Sequence, residues 1–202
     1  MMNTDFMKGV IVPILTPIDE NEWIDEIKMR EQVDFVINGG VSGILAFGSN
    51  GEFYVIEEDE MERGLKIIVD QAAGRVPVYF GIGAISTKKC VRLAKMAVAC
   101  GAAGVSVLQP MFLKPTETEL FCHFKTIAEA VPEIPVLLYN NPGRVGYTLS
   151  ADLVEKLAHE VKNIVGMKDT SGDITQTEEF IRRNADVGFK VFGGKDTLLY
   201  AS

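Results

Sequence analysis

The chain has 202 residues and a formal net charge of -8, with 47% hydrophobic, 24% charged and 8% aromatic residues, the balance of a globular protein rather than a disordered or fibrous one. Twenty Lys and Arg against 28 Asp and Glu argue against a nucleic-acid partner, because phosphate binding needs clustered basic side chains. No stretch approaches the run of about 18 apolar residues expected of a membrane span, and Met1 to Lys8 lack the apolar core of a signal peptide, so a cytoplasmic protein with no membrane partner is expected.

Along the chain, short apolar runs alternate with amphipathic segments. The runs are 10–15, 43–47, 78–80, 104–108, 135–139, 164–167 and 189–192. They are too short for helices, rich in β-branched and aromatic residues, and bounded by Gly, Pro or polar turns, which predicts strands. Their near-continuous apolarity predicts burial on both faces, as in a parallel sheet. After the first run, Asp25 is placed to cap a helix with Met29, Val33, Val36 and Ile37 on one face, ended by Gly39-Gly40. Met61, Leu65, Ile68, Val69 and Ala72 repeat the helical spacing after the second. Thr116 and Glu119 form a capping box ahead of Leu120, Phe124, Ile127 and Val131. Ser150 caps a helix with Leu153, Val154 and Leu157 inside, and Asp173 opens one containing Phe180 and Ile181.

Seven βα steps with a repeat of roughly 30 residues mean either a doubly wound sheet or a (β/α)8 barrel. The glycine fingerprint of dinucleotide folds is missing after the first strand, where Thr16-Pro17-Ile18-Asp19 stands, and this favours the barrel. The expected architecture is therefore α/β: a single TIM-type barrel domain over 1–202 that lacks its last strand. A closed barrel needs an eighth strand, so the sequence is expected to be a C-terminally truncated fragment of a longer protein.

Cys90, Cys100 and Cys122 form an odd set with no CxxC pair and are read as small buried thiols in a reducing compartment. His123 and His159 lack a second ligand at i+3 or i+4 and are read as helix residues, so no metal is expected.

Catalytic groups in such a barrel project from the C-terminal strand ends. The second strand ends in Gly48-Ser49-Asn50-Gly51-Glu52, where glycines permit tight turning and exposed N–H groups could bind a carboxylate. The fifth ends in Tyr139-Asn140-Asn141-Pro142-Gly143-Arg144: a phenol that can relay a proton, and a guanidinium that can hold a carboxylate with two parallel hydrogen bonds. The sixth continues through Gly166-Met167-Lys168-Asp169-Thr170-Ser171-Gly172-Asp173. A lysine prolonging an apolar strand inward is costly unless paired or neutral, and a neutral amine attacks carbonyls.

In this order and spacing, the opening Gly9 to Pro17 with the G-S-N-G-E, Y-N-x-P and G-x-K-D-x-S-G-D elements resembles the dihydrodipicolinate synthase and N-acetylneuraminate lyase superfamily of pyruvate-dependent class I aldolases. The resemblance implies a (β/α)8 barrel with a C-terminal helical extension and an assembly of dimers into a homotetramer. It implies a lyase, a lysine-biosynthetic synthase condensing pyruvate with aspartate semialdehyde, with catalytic Lys168 as Schiff-base former and Tyr139 as proton carrier. Ser49 and Asn50 would bind the pyruvate carboxylate, Arg144 the carboxylate of the second substrate, and Gly193 would line the site. No cofactor is implied, because the imine is itself the electron sink. Two positions depart from the synthase pattern: Ser49-Asn50 replaces two threonines, and Phe112 stands where the synthase has a tyrosine donated across a dimer interface. Two other readings remain: an aldolase cleaving a 2-keto-3-deoxy or 4-hydroxy-2-keto acid, N-acetylneuraminate-type substrates included, to pyruvate and an aldehyde, and a non-catalytic barrel remnant.

Overall fold

The computed structural model describes residues 2–201. In chain order they form β1 (Ile11–Pro13), α1 (Glu26–Asn38), β2 (Gly43–Ala46), α2 (Glu58–Ala72), β3 (Val78–Ile82), α3 (Thr87–Ala99), β4 (Gly104–Leu108), α4 (Glu117–Glu129), β5 (Val136–Asn140), α5 (Pro142–Val145), α6 (Ala151–Glu160), β6 (Ile164–Asp169), α7 (Ile174–Arg183) and β7 (Lys190–Gly193). They belong to two compact units, residues 3–83 with 92–105, and residues 2, 84–91 and 106–201; the division passes through α3 and β4. No helix among the described residues is long and apolar enough to cross a membrane.

In the first unit β1, β2 and β3 pair in parallel, with Ile11 opposite Gly43 and Ile44 opposite Val78. Residues of β2 and β3 are buried throughout, as continuous apolar runs require of strands covered on both faces. The Phe47 and Phe80 rings lie 5.7 Å apart. Asp25 caps α1 by accepting from the Lys28 N–H, as its sequence position predicts. The buried stripe of α1 is narrower than its spacing suggests: Met29 and Val33 are buried, Val36 and Ile37 half-buried, and Ile27 and Phe35 exposed.

The second unit contains β5, β6 and β7, again parallel and in chain order. The capping box at Thr116 and Glu119 is formed, Ser150 accepts from the Leu153 N–H to start α6, and Asp173 accepts from the Gln176 N–H to start α7. Arg183 on α7 bonds Asp152 and Glu155 of α6 as well as Glu179 of its own helix. Between β5 and β6 the register shifts by one: Val136 pairs with Ile164, but Leu137 pairs with Gly166. Such a bulge adds one residue to one strand and flips the facing of everything beyond it. The bulge is followed by Gly166, where an added Cβ would meet the Lys190 carbonyl oxygen at 2.4 Å.

Not every cysteine is buried. Cys90 and Cys100 are, whereas Cys122 is exposed, because it falls on α4 beside the buried pair His123 and Phe124 and so outside the inner stripe. Burial pushes the Cys90 thiol up to about 11, which keeps it protonated and unreactive.

The two histidines are opposites. His159 is drawn upward by bonding to the Glu155 carbonyl and to Asp186, and its contribution to stability is lost as pH rises through its folded value. His123 is buried, with Nδ1 2.8 Å from Thr87 Oγ1 and Nε2 without a partner among the described residues; burial lowers its pKa from 6.5 to about 4. The unfolded chain therefore takes up a proton below pH 6.5 that folded His123 refuses until about pH 4. Its contribution is present above the unfolded value and is lost as pH falls across this window, by up to about 3 kcal/mol. Denaturant melts at pH 7 and pH 5 should show this loss in the wild type, and His123→Gln, which keeps an amide for Thr87, should show a shallower one. Equal pH slopes in the two proteins would contradict it.

Candidate active site

The bulge in β6 has a direct consequence for the strand ends. Beyond it, Tyr139 pairs with Lys168 and Asn140 with Asp169, and on the other side Lys168 pairs with Phe192 and Asp169 with Gly193. Register partners in a parallel sheet share a face, so Tyr139 and Lys168 point the same way while Asn140 and Asp169 point the other. Without the extra residue Tyr139 would sit level with Met167 and Lys168 with Asn140. The two sequence-predicted chemical groups are therefore brought together by one inserted residue.

The Lys168 Nζ lies 4.7 Å from the centroid of the Tyr139 ring, within cation–π or amine–π reach. Lys168 is half-buried rather than enclosed as its strand position predicts, since its side chain runs along the Tyr139 ring face. Among the described residues it forms no ion pair. Tyr139 is buried, and its hydroxyl oxygen accepts from the Asn141 Nδ2 at 2.8 Å. Arg144, on the four-residue α5, is exposed, and no carboxylate among the described residues pairs with its side chain. Gly193 ends β7 on the Asp169 face of the register; it is the next residue, Gly194, that packs on the lysine. A Cβ added to Gly194 would lie 2.1 Å from Thr170 Oγ1 and 3.0 Å from Lys168 Cε, so the lysine stem fits only because this position has no side chain.

Behind the strand ends lies a polar network that apolar periodicity does not reveal. The Asp169 carboxylate is 3% exposed and accepts four hydrogen bonds, from Asn140 Nδ2 at 2.9 Å, the Ser171 N–H at 3.1 Å, the Ser171 hydroxyl at 3.0 Å and the Thr177 hydroxyl at 2.6 Å. Fully buried Asn140 also donates to Thr148 Oγ1 at 3.1 Å and accepts from the Leu149 N–H at 3.0 Å. Gln109, just past β4, donates to the Tyr147 carbonyl at 2.8 Å and to Asn140 Oδ1 at 3.3 Å. The K-D-x-S-G-D element thus divides by task. Asp169 anchors the turn, Ser171 receives the Asp173 N–H at 3.1 Å, Gly172 takes the left-handed φ of 80°, and Asp173 caps α7. The signal for this network was a polar residue, Asn140 or Asp169, immediately after each chemical one.

Ser49 and Asn50 belong to the other unit, on the turn after β2, with Ser49 half-buried and Asn50 exposed. The left-handed backbone at this turn falls on Phe47, just before it, and Glu52, its last residue, at φ 53° and 54°. Gly51 serves close approach: a Cβ there would meet the Ile14 carbonyl oxygen at 3.0 Å, while its own carbonyl accepts from the Thr16 hydroxyl at 2.6 Å. An open cleft of about 710 Å³ in this unit is lined by Leu15, Thr16, Gln32, Phe35, Asn50 and Glu52, among others.

Residues 6–202 match the family profile described as the Dihydrodipicolinate synthetase family. The 4-hydroxy-tetrahydrodipicolinate synthase of Trichlorobacter lovleyi is 42% identical over 193 residues, covering 96% of this chain and 65% of that protein. The synthase of the same name from Syntrophus aciditrophicus is 41% identical over 189 residues, covering 94% and 64%. The chain therefore spans just under two thirds of the length of these curated relatives. Among solved structures, the chloride-inhibited dihydrodipicolinate synthase of Acinetobacter baumannii, complexed with pyruvate, superposes with a TM-score of 0.91 at 36% identity, over 96% of this chain and 66% of that one. The fold is of the α/β, TIM (β/α)8 type, with seven of its strands among the described residues.

Proposed function

Because the chain belongs to the dihydrodipicolinate synthetase family, we propose that it is a pyruvate-dependent Schiff-base lyase of the 4-hydroxy-tetrahydrodipicolinate synthase type. One observation carries the reading: Lys168, without an ion pair among the described residues, lies with its Nζ 4.7 Å from the Tyr139 ring at matching strand ends. The Lys168 amine adds to the ketone of pyruvate, and loss of water leaves an iminium. That cation draws electrons from the methyl carbon, which loses a proton to give an enamine. The enamine carbon forms a C–C bond to the carbonyl carbon of aspartate semialdehyde, and return of water or attack by the substrate amine frees the lysine. Tyr139 carries protons between these atoms. Ser49, Asn50 and the backbone beside them take the pyruvate carboxylate, Gly194 packs on the lysine stem, and Gly193 lines the strand end beside it. Arg144, exposed and unpaired among the described residues, takes the carboxylate of the second substrate by two parallel bonds. The reading extends to a cytoplasmic homo-oligomer built of dimers, in keeping with the exposed apolar pair Phe112 and Leu113.

A second reading is favoured by Phe112, whose side chain is 89% exposed and has no hydroxyl to share in a proton relay. With the S-N-G-E turn, it suits an aldolase that cleaves a 4-hydroxy-2-keto or 2-keto-3-deoxy acid. Condensation of pyruvate with aspartate semialdehyde, assayed beside pyruvate release from a panel of such acids, separates the two. The synthase reading expects condensation, and it expects Arg144→Ala to raise KM for the semialdehyde by roughly 10- to 100-fold, the scale of a lost charged bidentate contact, with pyruvate trapping on Lys168 unchanged. No condensation, with release from one of the acids, overturns it in favour of the aldolase.

A further inference from the structure

Asn141 stands at the N-cap of α5, where an asparagine side chain ordinarily accepts from N–H groups of the first turn. It makes no such bond. Its Nδ2 donates instead to the Tyr139 hydroxyl oxygen at 2.8 Å. The backbone around it is held from two sides. Its N–H donates to Gln109 Oε1 at 3.1 Å, and its carbonyl accepts from the Arg144 and Val145 N–H groups at 3.0 and 3.2 Å. Gln109 is fully buried and is itself fixed by its bonds to the Tyr147 carbonyl and Asn140. An amide that could have capped a helix is thus delivered, with little freedom to move, to a phenol.

A phenol has one hydrogen to give and can accept through its oxygen as well. An oxygen that accepts from Asn141 keeps its own hydrogen for a second partner. We infer that Asn141 is a positioning residue for Tyr139: by donating to the phenol oxygen it leaves the phenolic hydrogen directed to substrate. The rate of proton transfer at the imine then depends on the amide at 141, and the equilibrium yield of imine does not. This rests on the reading of Lys168 and Tyr139 given above.

The test needs only pyruvate. Exchange of its methyl hydrogens in D2O, followed by NMR, reports enamine formation and reprotonation, while borohydride trapping at saturating pyruvate reports the imine on Lys168. Tyr139→Phe is expected to slow exchange by on the order of 10²-fold or more. Asn141→Leu should slow it roughly tenfold, and Asn141→Asp at least as much, because an ionised carboxylate only accepts and so takes the phenol hydrogen. In the Tyr139→Phe background Asn141→Leu should have no further effect, since the hydroxyl it acts through is gone. Trapped yield should stay at the wild-type level in the Asn141 variants. Multiplicative losses in the double variant, wild-type exchange in Asn141→Asp, or loss of trapping in the Asn141 variants would overturn the positioning role while leaving the underlying reading intact. No trapping by the wild type, or unchanged exchange in Tyr139→Phe, would overturn that reading and this inference with it.

Discussion

Lys168→Met should leave no borohydride-stable pyruvate adduct on the protein and should lower turnover by at least about 10³-fold, the scale on which loss of a covalent nucleophile is felt. Methionine keeps an unbranched, flexible stem for the space beside the Tyr139 ring and removes only the amine. The fold should hardly notice, because Lys168 pairs with no carboxylate among the described residues and is half-buried; a melting temperature within a few degrees of wild type is expected. Lys168→Arg sharpens the test, since a guanidinium keeps a long basic stem in place yet forms no imine. Intact mass after reduction, then peptide mapping, reads all three proteins. A full-yield adduct that survives in Lys168→Met, on some other lysine, would remove the central residue of the proposal. Loss of the adduct together with collapse of the melting temperature would point to a structural lysine instead.

Why this pair was partly legible in the sequence, and its neighbours were not, is a matter of which forces act locally. Lys168 and Tyr139 each prolong an apolar run, and a polar group at a strand end can be seen one strand at a time. Caps are local too, so Asp25, Thr116, Ser150 and Asp173 stand where their residue types and spacings put them. The facing of Lys168 toward Tyr139 is not local. It depends on an extra residue near Val165 that shifts the β5–β6 register, and an apolar run reads the same with or without a bulge. The network around Asn140 and Asp169 escapes for a related reason. Its members come from β5, β6, the 147–149 loop and α7, and only the packed chain makes them neighbours. Spacing alone also drew the inner stripe of α1 too wide: Met29 and Val33 are buried, but Val36 and Ile37 only half so.

Asn140→Leu should be the most destabilising conservative-volume change near the site, by about 2–4 kcal/mol, and the reason is what it leaves behind rather than what it removes. A leucine fills a similar space. It strands the Leu149 N–H, removes one of the acceptors of the Gln109 amide, takes one of four donors from buried Asp169, and deprives Thr148 of its donor. A buried polar group without its partner costs about 1–3 kcal/mol, and members of one network do not fail independently. Asp169→Leu should cost about as much, because it removes at once the carboxylate that accepts from the Ser171 and Thr177 hydroxyls and the Asn140 amide. The double variant should then lose clearly less than the sum, since each change has already broken the bond the other would break. Guanidinium melts with unchanged m-values would read these losses as stability rather than altered compactness. Additive losses would mean the two side chains hold their strands separately. Sub-additive losses, with imine trapping on Lys168 reduced in step, would mean that the face turned away from substrate holds Tyr139 and Lys168 in register, and that the site's geometry is stored in the bonds behind it.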